Sequence, residues 1–314
     1  MLTQRPMKVQ RKRMWPIAAT IIVVAVVGTL LAVNLMPPEK TIDQRIDRLY
    51  GTADPQFARA MGVLLGPAIV PGNRVDTLVN ILMSVFWLGY ELLGLSIIFS
   101  NTSSIGGWRL GDVLALLGVF RIINTFMQMV VWPNTEKFNR GIREGTLDYT
   151  FLQPINSQFM VSFSRIVIWN AWNLLIGIAL IVVGLFFSNS ALPNAVSIAS
   201  FLLLTFSGGV IVYSVWVVLI ALTFWFTKFD NNVTLMQALM DTGRYPATVY
   251  PAWLRVIVTF VVPIAVATTV PLQALRGELE WWQIIMALLA SVAVFMISRL
   301  VWNAGTRRYS GASS

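Results

Sequence analysis

PNTEKFNRGIREGTLDYTFLQPINS, residues 133–157, separates two long apolar blocks, and the reading of the fold turns on it. Glu136, Lys137, Arg140, Arg143, Glu144 and Asp148 all fall inside this stretch. It does not belong in hydrocarbon, where a charge at the bilayer centre costs roughly 2.5–3.5 kcal/mol on insertion scales. Phe138 and Ile142 lie four apart, so a helix here carries both on one face; Gly145 is placed to end that helix. Pro154 marks a second boundary before the next apolar run. Two readings fit this periodicity. One is a short amphipathic helix at the cytoplasmic membrane surface, presenting a face to another protein; the other is an ordinary solvated loop.

On either side of the stretch the chain is suited to lipid. Of its 314 residues 56% are hydrophobic and 12% charged, against about 25% charged in a soluble domain. The composition predicts an all-α, polytopic membrane protein. The net charge of +9 does not imply nucleic acid, because the basic residues sit at the ends of apolar runs, where topology-setting charges belong. With no cysteine and no histidine, thiolate chemistry, zinc–thiolate sites and the commonest general base are excluded. A GxxxxGK[ST] phosphate loop is also absent from the sequence, so the chain does not hydrolyse ATP by that route. No catalytic, cofactor-binding or metal-ligating residue is expected.

The apolar pattern predicts six spans, near 79–100, 112–132, 160–187, 197–227, 254–270 and 282–302. Lys137, Arg140, Arg143, Arg165, Lys228, Arg244, Arg255, Arg299, Arg307 and Arg308 flank one set of span ends, whereas Arg109 and Arg276 alone flank the other. Ten cations against two put the first set in the cytoplasm, together with both ends of the six-span unit. On this count 228–253 is a second inner loop, and 101–111 lies outside. Val233, Leu235, Met236, Leu239 and Met240 form an apolar stripe in that inner loop, either packing under the bundle or touching a partner.

A further apolar run, Trp15–Met36, follows the basic residues Arg5, Lys8, Arg11, Lys12 and Arg13 and reads as an uncleaved anchor with its start in the cytoplasm. That orientation conflicts with the charge count of the six spans. Three resolutions stay open: the anchor does not insert, Ala60–Val70 dips back through the bilayer, or the first 80 residues are a foreign segment joined to the six-span unit. The expected division is therefore 1–80, an anchor helix and mixed leader, and 81–314, the six-span unit.

Two motifs carry a family resemblance. GIREGTLDYTFLQPINSQF matches Ile-Arg-x-Gly-x-Leu-Asp followed by Leu-x-Pro-Ile, at Ile142, Arg143, Gly145, Leu147, Asp148, Leu152, Pro154 and Ile155. RYPATVYPAWLR, 244–255, is followed by VVPIAVATTVPLQAL, 261–275. With these motifs, residues 81–311 resemble the membrane subunit of an ABC-2 type transporter. The resemblance implies a six-span permease, not an enzyme and without an ATPase site of its own, that pairs with an identical or related second permease subunit in the inner or plasma membrane. A separate ABC ATPase subunit binding ATP and Mg would drive it by alternating access, as an exporter. Phe138, Ile142, Arg143, Gly145, Leu147, Asp148, Leu152 and Pro154 are then the coupling contact to that ATPase. Arg244, Tyr245, Pro246, Tyr250 and Pro251 of the second inner loop are a further candidate contact. The front departs from the family pattern, where a cytoplasmic lead-in helix is usual. Residues 1–80 instead resemble the leader of phospholipase D-like cardiolipin synthases, whose His-x-Lys signature a histidine-free chain cannot hold.

Glu91 and Arg121 sit at similar depth in adjacent spans and are expected to pair, structurally or as a polar gate. Pro263 and Pro271 in the fifth span read as a hinge or as a static bend. Gly208 and Gly209 permit close helix approach. The sequons at Asn101 and Asn232 are taken as chance matches. The competing functions are a passive membrane scaffold and a catalytically inactive relative of a phospholipid-synthesising enzyme. An ATPase that co-purifies with the chain discriminates between them and the permease.

Overall fold

The computed structural model describes residues 74–144, 147, 156–167, 170–188, 193–226 and 232–308. The anchor, the leader up to residue 73, Gly145, Asp148, Leu152, Pro154 and Ile155 lie outside these, and α1 runs through the expected boundary at 80/81. The described elements are helical: α1 (Arg74–Asn101), α2 (Leu110–Phe126), α3 (Trp132–Glu144), α4 (Ser157–Phe163), α5 (Trp172–Ser188), α6 (Ala195–Ala221), α7 (Asn232–Thr242), α8 (Ala252–Val256), α9 (Ile264–Leu275) and α10 (Trp281–Arg308). The fold is all-α, as composition requires.

Among the described residues four helices are long and apolar enough to cross a membrane: Val79–Asn101, Leu110–Ile142, Ala195–Phe224 and Trp281–Arg308. Counting the bent pair Ala252–Val261 and Ile264–Leu275 as one span makes five, and Trp172–Ser188 is a shorter apolar helix. α1 and α2 are joined by a tight turn. Gly106 and Gly107 take φ of 57° and 88° there, while Ile105 and Trp108 exchange both backbone hydrogen bonds at 2.9 Å. Two successive left-handed residues are what a two-residue hairpin turn needs, and glycine supplies them without a Cβ penalty. The bundle thus has a turn end, at 102–109, and an α3 end opposite it.

The expected second span stops at 132, but the helix does not. Pro133 lacks an N–H, and its ring crowds the carbonyl four residues back, that of Met129. The chain answers with a π-turn over Met127–Val131, and the released Met129 carbonyl accepts the Val167 N–H at 2.8 Å. Leu110–Ile142 therefore runs on for 33 residues, about 50 Å at 1.5 Å per residue, against about 30 Å of hydrocarbon. α3 is the projecting end of a rod, not a separate helix lying on the surface.

The expected third span, 160–187, is also revised. α4 ends at Phe163 and the next long helix starts at Trp172, because Ser162 to Val167 give their backbone groups to the α2–α3 rod (below). α5 then packs antiparallel to α2 at backbone distance. A Cβ on Gly118 would fall 2.5 Å from the Gly177 carbonyl, and one on Gly184 would fall 2.6 Å from the Gly111 carbonyl. Neither seven-spaced glycine pair tolerates a side chain. At the centre of the bundle, Pro271 frees the carbonyl of Ala267, four residues back, which faces Gly208: a Cβ there would sit 2.5 Å from it. This lets α9 approach α6 closely. α6 and α10 meet again at the α3 end, where the Phe224 and Trp302 rings stack edge-on at 5.5 Å.

The fifth span is corrected most. α8, extended by a π-turn over Ile257–Val261, meets α9 at an 83° bend at Val262 and Pro263. α8 begins at the turn end and α9 finishes there, with the bend between them deeper in the bundle. Arg255 donates to the Thr248 carbonyl at 2.9 Å, and the Thr248 hydroxyl donates to the Gly106 carbonyl at 2.9 Å. At the far end of α9, Arg276 pairs with Asp112 at 3.2 Å and lies 6.0 Å from the Trp108 ring. The pair is a re-entrant hairpin. The passage from the α3 end to the turn end is made instead by α7 and the mostly non-helical residues 243–251. The loops 228–253 and 101–111, expected on opposite faces, are hydrogen-bonded to each other. The charge count misplaced this segment because it treats every Arg as a free cation at the surface.

Candidate functional site

α3 is the meeting point of the α3 end. Asn134, Thr135, Phe138 and Asn139 share one helix face, and each engages a different element. The Asn134 amide, 1% exposed, donates to the carbonyls of Val130, Ser162 and Arg165 at 2.5, 2.8 and 2.7 Å and accepts from the Ser164 hydroxyl at 2.8 Å. It thereby clamps the chain that follows α4. Thr135 accepts from the Trp216 indole of α6 at 2.6 Å. The Phe138 ring lies 5.6 Å from Phe224 and 5.8 Å from Trp302 of α10. Asn139 and Asn232, at the start of α7, exchange amide hydrogen bonds at 2.9 and 3.0 Å. Glu136, Lys137 and Arg140 occupy the opposite, exposed face.

A second buried polar set lies under α4. The Gln158 amide donates to the Tyr213 hydroxyl at 3.3 Å, and Ser162 shares a 2.7 Å hydrogen bond with it. The Trp302 indole donates to the Ser157 hydroxyl at 3.2 Å. Breaking one of these side-chain hydrogen bonds where it is buried would leave a donor or acceptor unmatched, at about 1–3 kcal/mol.

Deeper in the bundle, Arg121 lies 2.6 Å from one oxygen of Glu91, and Arg244 lies 3.2 Å from the other. Arg244 also pairs with Asp241 at 2.8 Å, and its guanidinium stacks 5.3 Å over the Phe120 ring. Arg121 is eleven residues into α2, about 16 Å along the helix and so near the middle of a bilayer core. Among the described residues no group of three or more Asp, Glu, His or Cys could hold a metal ion.

The expected site residues divide accordingly. The structure brings Glu91 and Arg121 together and adds Arg244. Phe138 does not face a partner: it is 2% exposed in the core, because its ring fills the space between α6 and α10. Ile142 also packs toward the core, Leu147 is 4% exposed, and Arg143 falls within α3. Tyr245 packs against the core, Pro246 is buried ahead of a 3₁₀ turn, and Pro251 is exposed. The Tyr250 hydroxyl donates to the Thr242 carbonyl at 3.0 Å. Pro263 sits at the bend and Pro271 inside α9. Of the apolar stripe, Met236 and Met240 are buried while Leu235 is exposed. Asn232 is 2% exposed, with its amide committed to Asn139. Sequence reasoning missed Asn134, Thr135, Asn139 and Asn232. The available signal was the run of amide and hydroxyl residues directly after Pro133.

A protein-family model described as ABC-2 family transporter protein matches residues 85–313, from within α1 to beyond α10. The chain belongs to the ABC-2 transporter family. No curated protein and no solved structure matches it. This ABC-2 chain is a multi-pass membrane protein of a transporter, in a family of generally non-enzymatic membrane subunits that partner with an ABC ATPase.

Proposed function

We propose that the chain is the permease subunit of an ATP-driven exporter and that the exposed face of α3 receives a separate ATPase. One observation carries this reading. α3 projects beyond the apolar part of its rod, and its inner face is held by side-chain hydrogen bonds to α6, α7 and the segment after α4 and by a ring contact to α10. A push on its outer face is therefore passed to four elements at once. Lys137 and Arg140 on that face are the proposed contact, with Arg143 and the motif residues Gly145, Asp148, Leu152 and Pro154 following on the same stretch of sequence.

Charge supports a cytoplasmic α3 end after correction for the re-entrant hairpin. Lys137, Arg140, Arg143, Arg165, Arg299, Arg307 and Arg308 lie at that end, against Arg109, Arg255 and Arg276 at the other, with Arg244 paired inside. On this reading six crossings are made, by α1, α2, α5, α6, the 232–251 passage and α10. The apolar, largely exposed α1 and α10 have only 22% and 17% of their spans buried, leaving faces for lipid and for a second permease subunit. ATP binding by the partner would drive alternating access, and the scarcity of charge in the spans favours a hydrophobic or amphipathic cargo.

The test is purification of the full chain through a tag at Ser314. An ATPase with a phosphate loop should co-purify, and Lys137→Ala with Arg140→Ala should release it while the chain stays folded. Recovery of the chain with no such subunit would support the scaffold reading instead.

A further inference from the structure

Residues 232–251 form a continuous bonded path through the bundle. It begins at the reciprocal Asn139–Asn232 amide pair. From there α7 buries Met236 and Met240, each 1% exposed, against the bundle. Gly243 is fitted to α9 so closely that a Cβ would fall 2.9 Å from the Ile264 side chain. Arg244 then meets Glu91, and Thr248 reaches Gly106 at the turn end. The non-helical half is stiffened by its own bonds: Arg255 donates to the carbonyls of Ala247, Thr248 and Tyr250, and Tyr250 to that of Thr242.

We propose that 232–251 is a strut that carries displacement of α3 across the membrane to Glu91 and the Gly106–Gly107 turn, with the Asn139–Asn232 pair as its input joint. The proposal rests on α3 being the ATPase-facing element. Two facing amides satisfy donor and acceptor together, and sliding them apart leaves both unmatched in a buried setting. Apolar contacts would allow such sliding; this pair makes α3 and α7 move as one. Hydrogen-bonded networks and rigid elements are the physical carriers of coupling between distant sites. At the middle of the strut, Glu91 joins it to α1 and, through Arg121, to α2.

The sequence contains no cysteine, so the native chain with its ATPase gives the background against which single-cysteine reporters are read. The full chain with its co-purified ATPase is placed in proteoliposomes, and the rate of reaction with a membrane-impermeant maleimide is measured in ATP-free and vanadate-trapped states. Glu136→Cys reports on α3 and Val249→Cys on the far end of the strut. With the native joint, trapping should change both rates. With Asn232→Leu the Glu136→Cys response should persist and the Val249→Cys response should be lost. Asn139→Asp combined with Asn232→Lys rebuilds the joint as an ion pair and should restore it, which also decides the case if Asn232→Leu alone fails to fold. A Val249→Cys response that survives Asn232→Leu, or is absent with the native joint while Glu136→Cys responds, overturns the strut and leaves the ATPase reading standing. So does failure of the rebuilt pair with the Glu136→Cys response intact. Silence at both reporters with the native joint overturns the ATPase reading, and the strut with it.

Discussion

Arg244 holds one oxygen of the Glu91 carboxylate at 3.2 Å while Arg121 holds the other at 2.6 Å. A residue from a segment that reads as a surface loop thus completes an ion cluster between two membrane-spanning helices. The cluster joins α1, α2 and the 232–251 passage at one carboxylate, so these three elements cannot shift independently without separating charges in a poorly solvated place.

Removing that carboxylate should be costly. Glu91→Gln leaves two guanidiniums facing each other with only Asp241 nearby, and the loss expected for breaking a buried ion pair is about 3–5 kcal/mol. A lowered thermal midpoint in detergent reads this. Adding Arg121→Gln to Glu91→Gln should recover part of the loss, since Arg244 keeps Asp241. The charge swap Glu91→Arg with Arg121→Glu should not recover it, because Arg244 would then face a second guanidinium.

The re-entrant hairpin fixes which residues share a side. Val249→Cys and Ser103→Cys should react with an impermeant maleimide from one face of the membrane, and Glu136→Cys from the other. Labelling of Val249→Cys together with Glu136→Cys from the same face would rule out the 232–251 passage as a crossing.

The α2–α5 contact has no room at its glycines. Gly118→Val should destabilise the chain by roughly 1–3 kcal/mol through overpacking, or prevent assembly. Gly209→Ala, where nothing lies within 4 Å of an added Cβ, should leave the thermal midpoint in place. Equal loss in both variants would mean that close approach at Gly118 is not the cause.

The two faces of α3 should separate stability from partner binding. Phe138→Ala removes a ring packed between Phe224 and Trp302 and should cost about 3–5 kcal/mol of stability. Lys137→Ala should barely change the thermal midpoint but weaken ATPase retention. If Phe138→Ala is as stable as the native chain, the ring is not the core residue that its burial indicates.

Much of the fold was legible because its signals are local. Long apolar runs imply membrane helices wherever they occur. Pro263 reads as a break in helical bonding, Pro133 is a second one, and in both cases a π-turn ends two residues before the proline. What the prolines could not announce was the consequence: near Pro133 the rod continues, because Val167 takes the released carbonyl, whereas at Pro263 it bends by 83°. The α3 hub was only half legible. Its charged face stood out in the sequence, but the pattern could not tell whether Phe138 faced a partner or the core.

By itself, the sequence determined a helical membrane protein, the charged segment that leaves the bilayer, the cation asymmetry of its two ends and the family motifs, since each is written in residues close together along the chain. The tertiary structure alone decided that Arg244 belongs with Glu91, that Asn139 belongs with Asn232 and that 252–275 turns back on itself. Those outcomes depend on which distant carboxylate, amide or carbonyl is left needing a partner once the helices have packed, and spacing along one chain carries no record of that.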